Sequence, residues 1–327
     1  MAGRTGAGRG WDQRQGALTR VNELELANDL ASLLDLERVD RDLFRARNAN
    51  FGPRRTLYGG QVAAQCLIAA AATVEDHRLP HSLHGYFLRA GQSDLPVILE
   101  VDRDRDGRSF SARHVNAVQD GEVIFSMVTS FHAESEEDEG DGTFDGAQHR
   151  EVTEPSATPR GGLNPLLEVR EVTPTDFLKG VFTDCCWVRS LTPLPDDPLV
   201  HRAALTYLSD IGSGFGQKPP ALVGRGGPSI DHSMWFQEHI RADDWVLVDL
   251  VPVKARSARG CYQGSLRGPD GALGATLYQE HLLLPGAMSE VAATILRHEA
   301  EVAAQEGREP RDLEELQRAH REHPTGG

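Results

Sequence analysis

The sequence holds only four cysteines in 327 residues, with no C-x-x-C spacing; two of them, Cys185 and Cys186, are adjacent. A disulfide-built framework is excluded, and the thiols read as reduced ones in a cytoplasmic protein. No apolar run approaches the roughly 20 residues of a membrane span. Residues 1–22 are rich in Gly and Arg and lack the apolar core of a signal peptide, so they read as a disordered leader. The 13 histidines form no H-E-x-x-H or comparable cluster; neither a metal nor another cofactor is expected. Positive charge is also scarce. Against 49 acidic residues stand 34 Lys and Arg, a formal charge of −15. Nucleic acid and anionic membrane are thereby poor partners, although a local basic pocket for an anionic ligand stays open. With 39% hydrophobic and 25% charged residues, the composition is that of a globular protein long enough for two domains or one doubled fold.

What is present repeats. Leu24, Leu26, Leu30, Leu33, Leu34 and Leu36 fall close to helical spacing, predicting a short amphipathic helix over 24–36 with Asn28 and Asp29 on its polar side. A strand follows at 43–47. Gly59-Gly60-Gln61 opens a helix of small apolar residues to about Thr73, apolar nearly all round and so buried. Strand patterns then cover 82–88, 96–102, 109–118 and 122–131, the last two joined by Asp120-Gly121. After the acidic run Glu134 to Asp141, which reads as a solvated linker, the order recurs. It comprises a strand at 185–190, a helix from Val200 to about Ser213, and strands at 230–237, 245–254, 260–267 and 272–284, with Pro269-Asp270-Gly271 in the last turn. Strand, helix and four strands, twice, predicts a duplication whose halves join sheet edges. The expected divisions are a leader over 1–22, a first half over 23–133, a linker over 134–180, a second half over 181–286 and a charged helical or loose tail over 287–327.

Polar residues intrude on this apolar pattern in three places. Ser229 precedes the run Met234-Trp235-Phe236, Asp210 ends Tyr207-Leu208-Ser209-Asp210, and Gln279 stands in Leu277-Tyr278-Gln279. A polar group entering a core needs a partner, so these three are candidates to meet. Taken singly, Asp210 reads as a helix cap, Ser229 as a turn residue and Gln279 as a surface residue. His84 and His232, each on an apolar strand, read as satisfied core histidines. An odd spacing from Ser229 argues that His232 faces away from it, and Gly227-Pro228-Ser229-Ile230-Asp231 fails the G-x-S-x-G nucleophile pattern.

Five ordered motifs resemble the acyl-CoA thioesterase II (TesB-type) family. They are Leu57-Tyr58-Gly59-Gly60-Gln61-Val62, the run from His81 to Arg89, the run from Asp106 to Arg113, the run from Ile230 to Phe236, and Ser257-Ala258-Arg259-Gly260. The resemblance, running from about Leu26 to Leu284, implies an α+β double hotdog: two antiparallel sheets, each wrapped round a buried helix and joined into one. It implies hydrolysis of fatty acyl-CoA to free acid and CoA by a water, with Asp210 as base and Ser229 and Gln279 orienting that water. The best-known bacterial pattern has Thr where this chain has Ser229. The start of the buried helix, Gly59, Gly60 and Gln61, is the expected oxyanion donor, with His84 as a further substrate contact. Lys254, Arg256 and Arg259, together with Arg267, form a basic group suited to the CoA phosphates; Arg103, Arg105, Arg108 and Arg113 form another. The expected partner is acyl-CoA, and a homodimer or homotetramer is anticipated. Two alternatives stand: an enoyl-CoA hydratase-like hotdog enzyme, which wants an Asp/His pair absent from the start of the buried helix, and a non-catalytic acyl-CoA-binding regulator.

Overall fold

The computed structural model describes residues 26–49, 56–133, 146, 155, 164–172, 184–212, 222, 225–285 and 307–309. The expected leader, the run Glu134 to Asp141 and nearly all of the tail lie outside them. The first half contains β1 (Leu26–Ala27), α1 (Leu30–Leu34), β2 (Glu37–Asp40), β3 (Leu43–Ala46), β4 (Asn48–Ala49), α2 (Gly59–Ala71), β5 (Arg78–Phe87), β6 (Val97–Asp106), β7 (Phe110–Gln119) and β8 (Glu122–Ala133). The second contains β9 (Leu167–Glu171), β10 (Asp184–Ser190), α3 (Pro198–Ser209), β11 (Arg225–Gly226), β12 (Asp231–Phe236), β13 (Val246–Arg256), β14 (Arg259–Arg267), β15 (Leu273–Leu282) and β16 (Leu284–Pro285).

Twelve strands form one sheet in the order β2-β3-β6-β7-β8-β5-β12-β15-β14-β13-β10-β9. Read inward from either edge, the two halves follow the same order, so the expected duplication is present. The seam is the antiparallel pair β5–β12, with Tyr86 opposite Asp231 and Ser82 opposite Trp235. Each half thereby covers an edge that the other would leave open.

The sheet curls round α2 and α3. Every residue of α2 except Gly59 and Ile68 is buried, which is what a helix without a polar face requires. One continuous apolar cluster runs through both halves, from Leu83, Phe125 and Met127 to Met234, Val248 and Leu277. Strand alternation sends Leu83, Met127 and Met234 inward. The intervening residues, with Tyr86, Val128, Trp235 and Tyr278 among them, are left exposed on the outer face.

The short strands β2, β4 and β11 were not expected from the sequence, and three larger departures bear on the architecture. The first helix is only Leu30–Leu34, because Asp29 begins it: its carboxylate accepts the Ser32 N–H at 2.7 Å in a capping box. Asp gains more at a helix start than inside, and Leu26–Ala27 pairs with Asn48–Ala49 as strand instead. Strand β9 lies inside the stretch assigned to the linker; its buried Leu167 and Val169 form the sheet's far edge against β10. Helix α3 starts two residues early, at Pro198 with Asp197 as cap, and stops at Ser209.

Candidate active site

The early stop of α3 creates the site. Asp210 is the cap residue beyond its last turn, so its side chain leaves the helix axis towards the start of α2. There the Gly60 N–H donates to Asp210 Oδ2 at 2.9 Å. The approach demands glycine twice. A Cβ on Gly59 would stand 2.7 Å from Asp210 Oδ2, and one on Gly60 would stand 2.6 Å from the Tyr207 carbonyl oxygen. Tyr58, just before α2, locks the two helix ends together by donating its hydroxyl to the Tyr207 carbonyl at 2.9 Å.

The second strand system supplies the rest. Gln279, fully buried on β15, donates from Nε2 to Asp210 Oδ1 at 3.0 Å and to Ser229 Oγ at 2.5 Å. The Ser229 hydroxyl donates to Asp210 Oδ1 over a longer 3.4 Å. Ser229 precedes β12 and is held by a bridge to His281. Asp210, Ser229 and Gln279 therefore do meet, with the Gly60 N–H as a fourth member. The Gln279 amide nitrogen donates to Asp210 and Ser229, not to a water as the resemblance implies.

Burial raises the Asp210 carboxyl above the ordinary carboxylate range. The charge of His232, the Gln279 amide, the Gly60 N–H and the Ser229 hydroxyl pull the other way. His232 is buried beside it on β12, and burial lowers its pKa against the pull of Asp210. Its Nδ1–H donates to Gln279 Oε1, while Nε2 lies 2.8 Å from Ser209 Oγ. Ser229 and His232 both reach Gln279 despite their odd spacing, because Ser229 lies outside the strand, where alternation does not apply. The contact of His232 with Gln279 has no signal in the sequence beyond an inward parity shared with Met234 and Phe236.

Other expected site residues scatter. The Gly60 N–H is engaged by Asp210 and the Gln61 N–H by the Tyr58 carbonyl, so neither is free for an oxyanion. The Gln61 side chain is buried against Asn48 and Ala49. Gly59, half-exposed at the first position of α2, remains beside the carboxylate. His84 lies on the outer face, exposed and edge-on to Trp235 at 5.1 Å between rings. Strand alternation puts it on the side of the sheet away from Asp210.

Lys254, Arg256 and Arg259 are exposed around the β13–β14 turn. Arg259 stands three residues along β14 from Tyr262, the partner of Gln279; at about 3.3 Å per residue that is roughly 10 Å. Arg267 leaves this group: it is buried at the other end of β14 and donates to the Gly271 carbonyl. Arg113 likewise leaves the first-half group. It is 1% exposed, donates to Thr73 and Ala112, and pairs with Asp106 at 2.7 Å. Among the described residues no group of three or more His, Cys, Asp or Glu is arranged to hold a metal ion.

Two half-sheets, each round a helix, with a carboxylate, a hydroxyl and a carboxamide joined at their seam, define the protein as one of the double hotdog class. Known proteins agree. The family model for the acyl-CoA thioesterase N-terminal domain matches residues 48–132, and that for acyl-CoA thioesterase matches 166–282. Human acyl-coenzyme A thioesterase 8 is 32% identical over 291 residues, covering 78% of this chain and 88% of that protein. Acyl-CoA thioesterase 2 of Haemophilus influenzae is 31% identical, covering 79% and 98%. The solved structure of an acyl-CoA thioesterase II TesB2 from Mycobacterium marinum is 35% identical with a TM-score of 0.64, covering 79% and 98%. A hot dog fold protein from Alicyclobacillus acidocaldarius, 20% identical with a TM-score of 0.64, shares the fold. The chain belongs to the acyl-CoA thioesterase family.

Proposed function

We propose that this protein hydrolyses fatty acyl-CoA to free fatty acid and CoA with a water activated by Asp210 and oriented by Ser229 and Gln279. The observation that carries the reading is the meeting of these three side chains, distant in sequence, on one carboxylate at the seam of the halves. An ionised Asp210 can only accept, so it takes the water's proton. The 3.4 Å Ser229–Asp210 contact is the longest of the set and the one a water would replace, leaving the serine oxygen to accept the second hydrogen. Gln279 then holds both oxygens at fixed spacing. Such positioning contributes several kcal/mol to the barrier reduction, up to about 7–11 kcal/mol in ideal cases. As the hydroxide equivalent adds to the thioester carbon, negative charge grows on the carbonyl oxygen, towards the positive end of α2 beside Gly59. The tetrahedral intermediate then collapses. The C–S bond breaks, and the proton held by Asp210 passes to the departing CoA sulfur.

Lys254, Arg256 and Arg259 lie at the same end of the sheet as Ser229 and are the proposed phosphate contacts. Four cysteines outside any disulfide fit a reducing, cytoplasmic compartment. Exposed Tyr86, Val128, Trp235 and Tyr278 on the outer face support self-association. Thiol release from a panel of acyl-CoAs tests the activity. Gln279→Ala is expected to lower kcat chiefly; an effect on KM alone would remove its water-positioning role.

A further inference from the structure

The hydrolytic scheme leaves His232 without a task, although it is 1% exposed and touches the reacting set. A carboxamide is two-faced, with a donor at one end and an acceptor at the other. In Gln279 the choice of end matters, because the atom facing Asp210 and Ser229 is Nε2. Reversed, its oxygen would lie against the carboxylate, repel it, and favour the protonated acid that cannot serve as base.

The group that breaks this symmetry sits on the far side of the amide. We infer that His232 is a positioning residue for the hydrolytic water: its Nδ1–H fixes the Gln279 carboxamide with Nε2 towards Asp210. The inference rests on the thioesterase reading of the same site.

Proton bookkeeping sets the direction. Ser209 gives its one hydrogen to the Thr206 carbonyl 2.8 Å away, so its oxygen can only accept from His232 Nε2, also at 2.8 Å. Gln279 Oε1 likewise can only accept, so Nδ1 carries a hydrogen. Burial opposes hydrogens on both ring nitrogens, while the Asp210 carboxylate and the Gln279 bond favour them. The result is a one-way relay of donors from His232 through Gln279 to Asp210. Aligned donors of this kind polarise one another inside a protein. The relay ends on the atom that must stay ionised. If Nδ1 lost its hydrogen, two acceptors would face each other at Nδ1 and Oε1, and the amide would turn over.

The test compares His232→Leu, which removes the donor, with His232→Asn, whose amide nitrogen can occupy the place of Nδ1. Each is made in the parent and in a Gln279→Ala background, with thiol release from acyl-CoA as the readout. Expected is a fall in kcat of about 10- to 100-fold for His232→Leu with KM within about threefold, and recovery of most of that loss by His232→Asn. In the Gln279→Ala background His232→Leu is expected to cost less than about twofold, because the residue it acts through is gone. Equal losses in both backgrounds, or Asn no better than Leu, would overturn the inference.

Should His232→Leu fail to fold, the tautomer is read on the intact protein by ¹⁵N spectroscopy of labelled histidine. Hydrogen on Nδ1 supports the relay; hydrogen on Nε2 alone overturns it. Asp210→Asn separates the two levels. If that variant hydrolyses acyl-CoA at the parent rate, the thioesterase reading of the site fails and this inference with it. If it is inactive while the His232 losses are additive, only the inference fails.

Discussion

Asp210 is held between opposing influences, and its chemistry follows from their balance. Burial favours the neutral acid, while four partners favour the anion, and the carboxyl ends above its ordinary range. A base works only when ionised, so kcat/KM is expected to fall as pH drops through a pKa higher than that of a solvated carboxylate. A pH profile of thiol release measures it, and an acid limb at the ordinary position would contradict the burial argument. Asp210→Asn is expected to lower kcat about 10²- to 10⁴-fold, the usual range for a lost general base, with the thermal transition retained. Gly60→Ala tests the cradle. Its methyl would stand 2.6 Å from the Tyr207 carbonyl oxygen, and main chain cannot yield as a flexible side chain does. Destabilisation of about 1–3 kcal/mol is expected by thermal or urea unfolding, together with a loss of kcat as the carboxylate is displaced.

At the scale of elements, duplication raises the question of a second site. Thr129 stands as far beyond Gly121 as Gln279 does beyond Gly271, so β8 and β15 offer equivalent positions. Thr129 spends its hydroxyl on the Ser82 carbonyl at 2.9 Å. Its neighbour Arg113, which matches Tyr262 by register, reaches past it to clamp Thr73 at the end of α2. The first half therefore builds a brace where the second builds the proposed water site. Arg113→Ala is expected to destabilise the protein by about 2–4 kcal/mol, as expected for losing a buried hydrogen-bond network. It should leave kcat of the folded enzyme within twofold. Calorimetry and thiol release on the same preparation separate the two effects.

The β13–β14 turn is the element to probe for phosphate. Ser257 and Ala258 adopt positive φ, which gives the tight twisted turn that presents Arg256 and Arg259 side by side. Arg259→Glu is expected to raise KM for acyl-CoA several-fold with kcat little changed, and to weaken the salt dependence of binding. An unchanged KM would count against the assignment.

At the scale of the whole molecule the halves are interdependent. Their contact consists of the β5–β12 ladder, the packing of α2 on α3 and the shared apolar cluster. A single protease nick between residues 134 and 163 is expected to leave both pieces associated and active in size-exclusion chromatography. The first half expressed alone should aggregate, since β5 would expose an unpaired edge. The outer face gives a further expectation. Trp235→Lys, 40% exposed in the single chain, should shift an oligomer towards monomer in light scattering without lowering the intrinsic hydrolysis rate.

Much of this was legible in the primary structure. Period-two alternation, the Asp-Gly turns and the apolar helix behind Gly59-Gly60 fixed nearly every long strand and both central helices. The reason is that these signals are local: each depends on residues a turn or a strand apart. Strand β9 escaped because five residues of alternation beside a charged stretch look like linker until a neighbouring strand pairs with them. That the halves join sheet edges was expected from the repeat, since two similar halves with open edges have few other ways to bury them; which strands form the seam, β5 and β12, came from the structure.

The sequence by itself determined the doubled hotdog and named the three polar residues, through their intrusion into apolar patterns and their match to family positions. Only the tertiary structure decided what those residues do to one another. Whether the Gly60 N–H serves an oxyanion or the base, whether Gln279 points its nitrogen or its oxygen inward, and whether His232 or His84 joins the site depend on contacts between residues far apart in the chain. Hydrogen-bond direction and burial are properties of the assembled packing, and no local spacing encodes them.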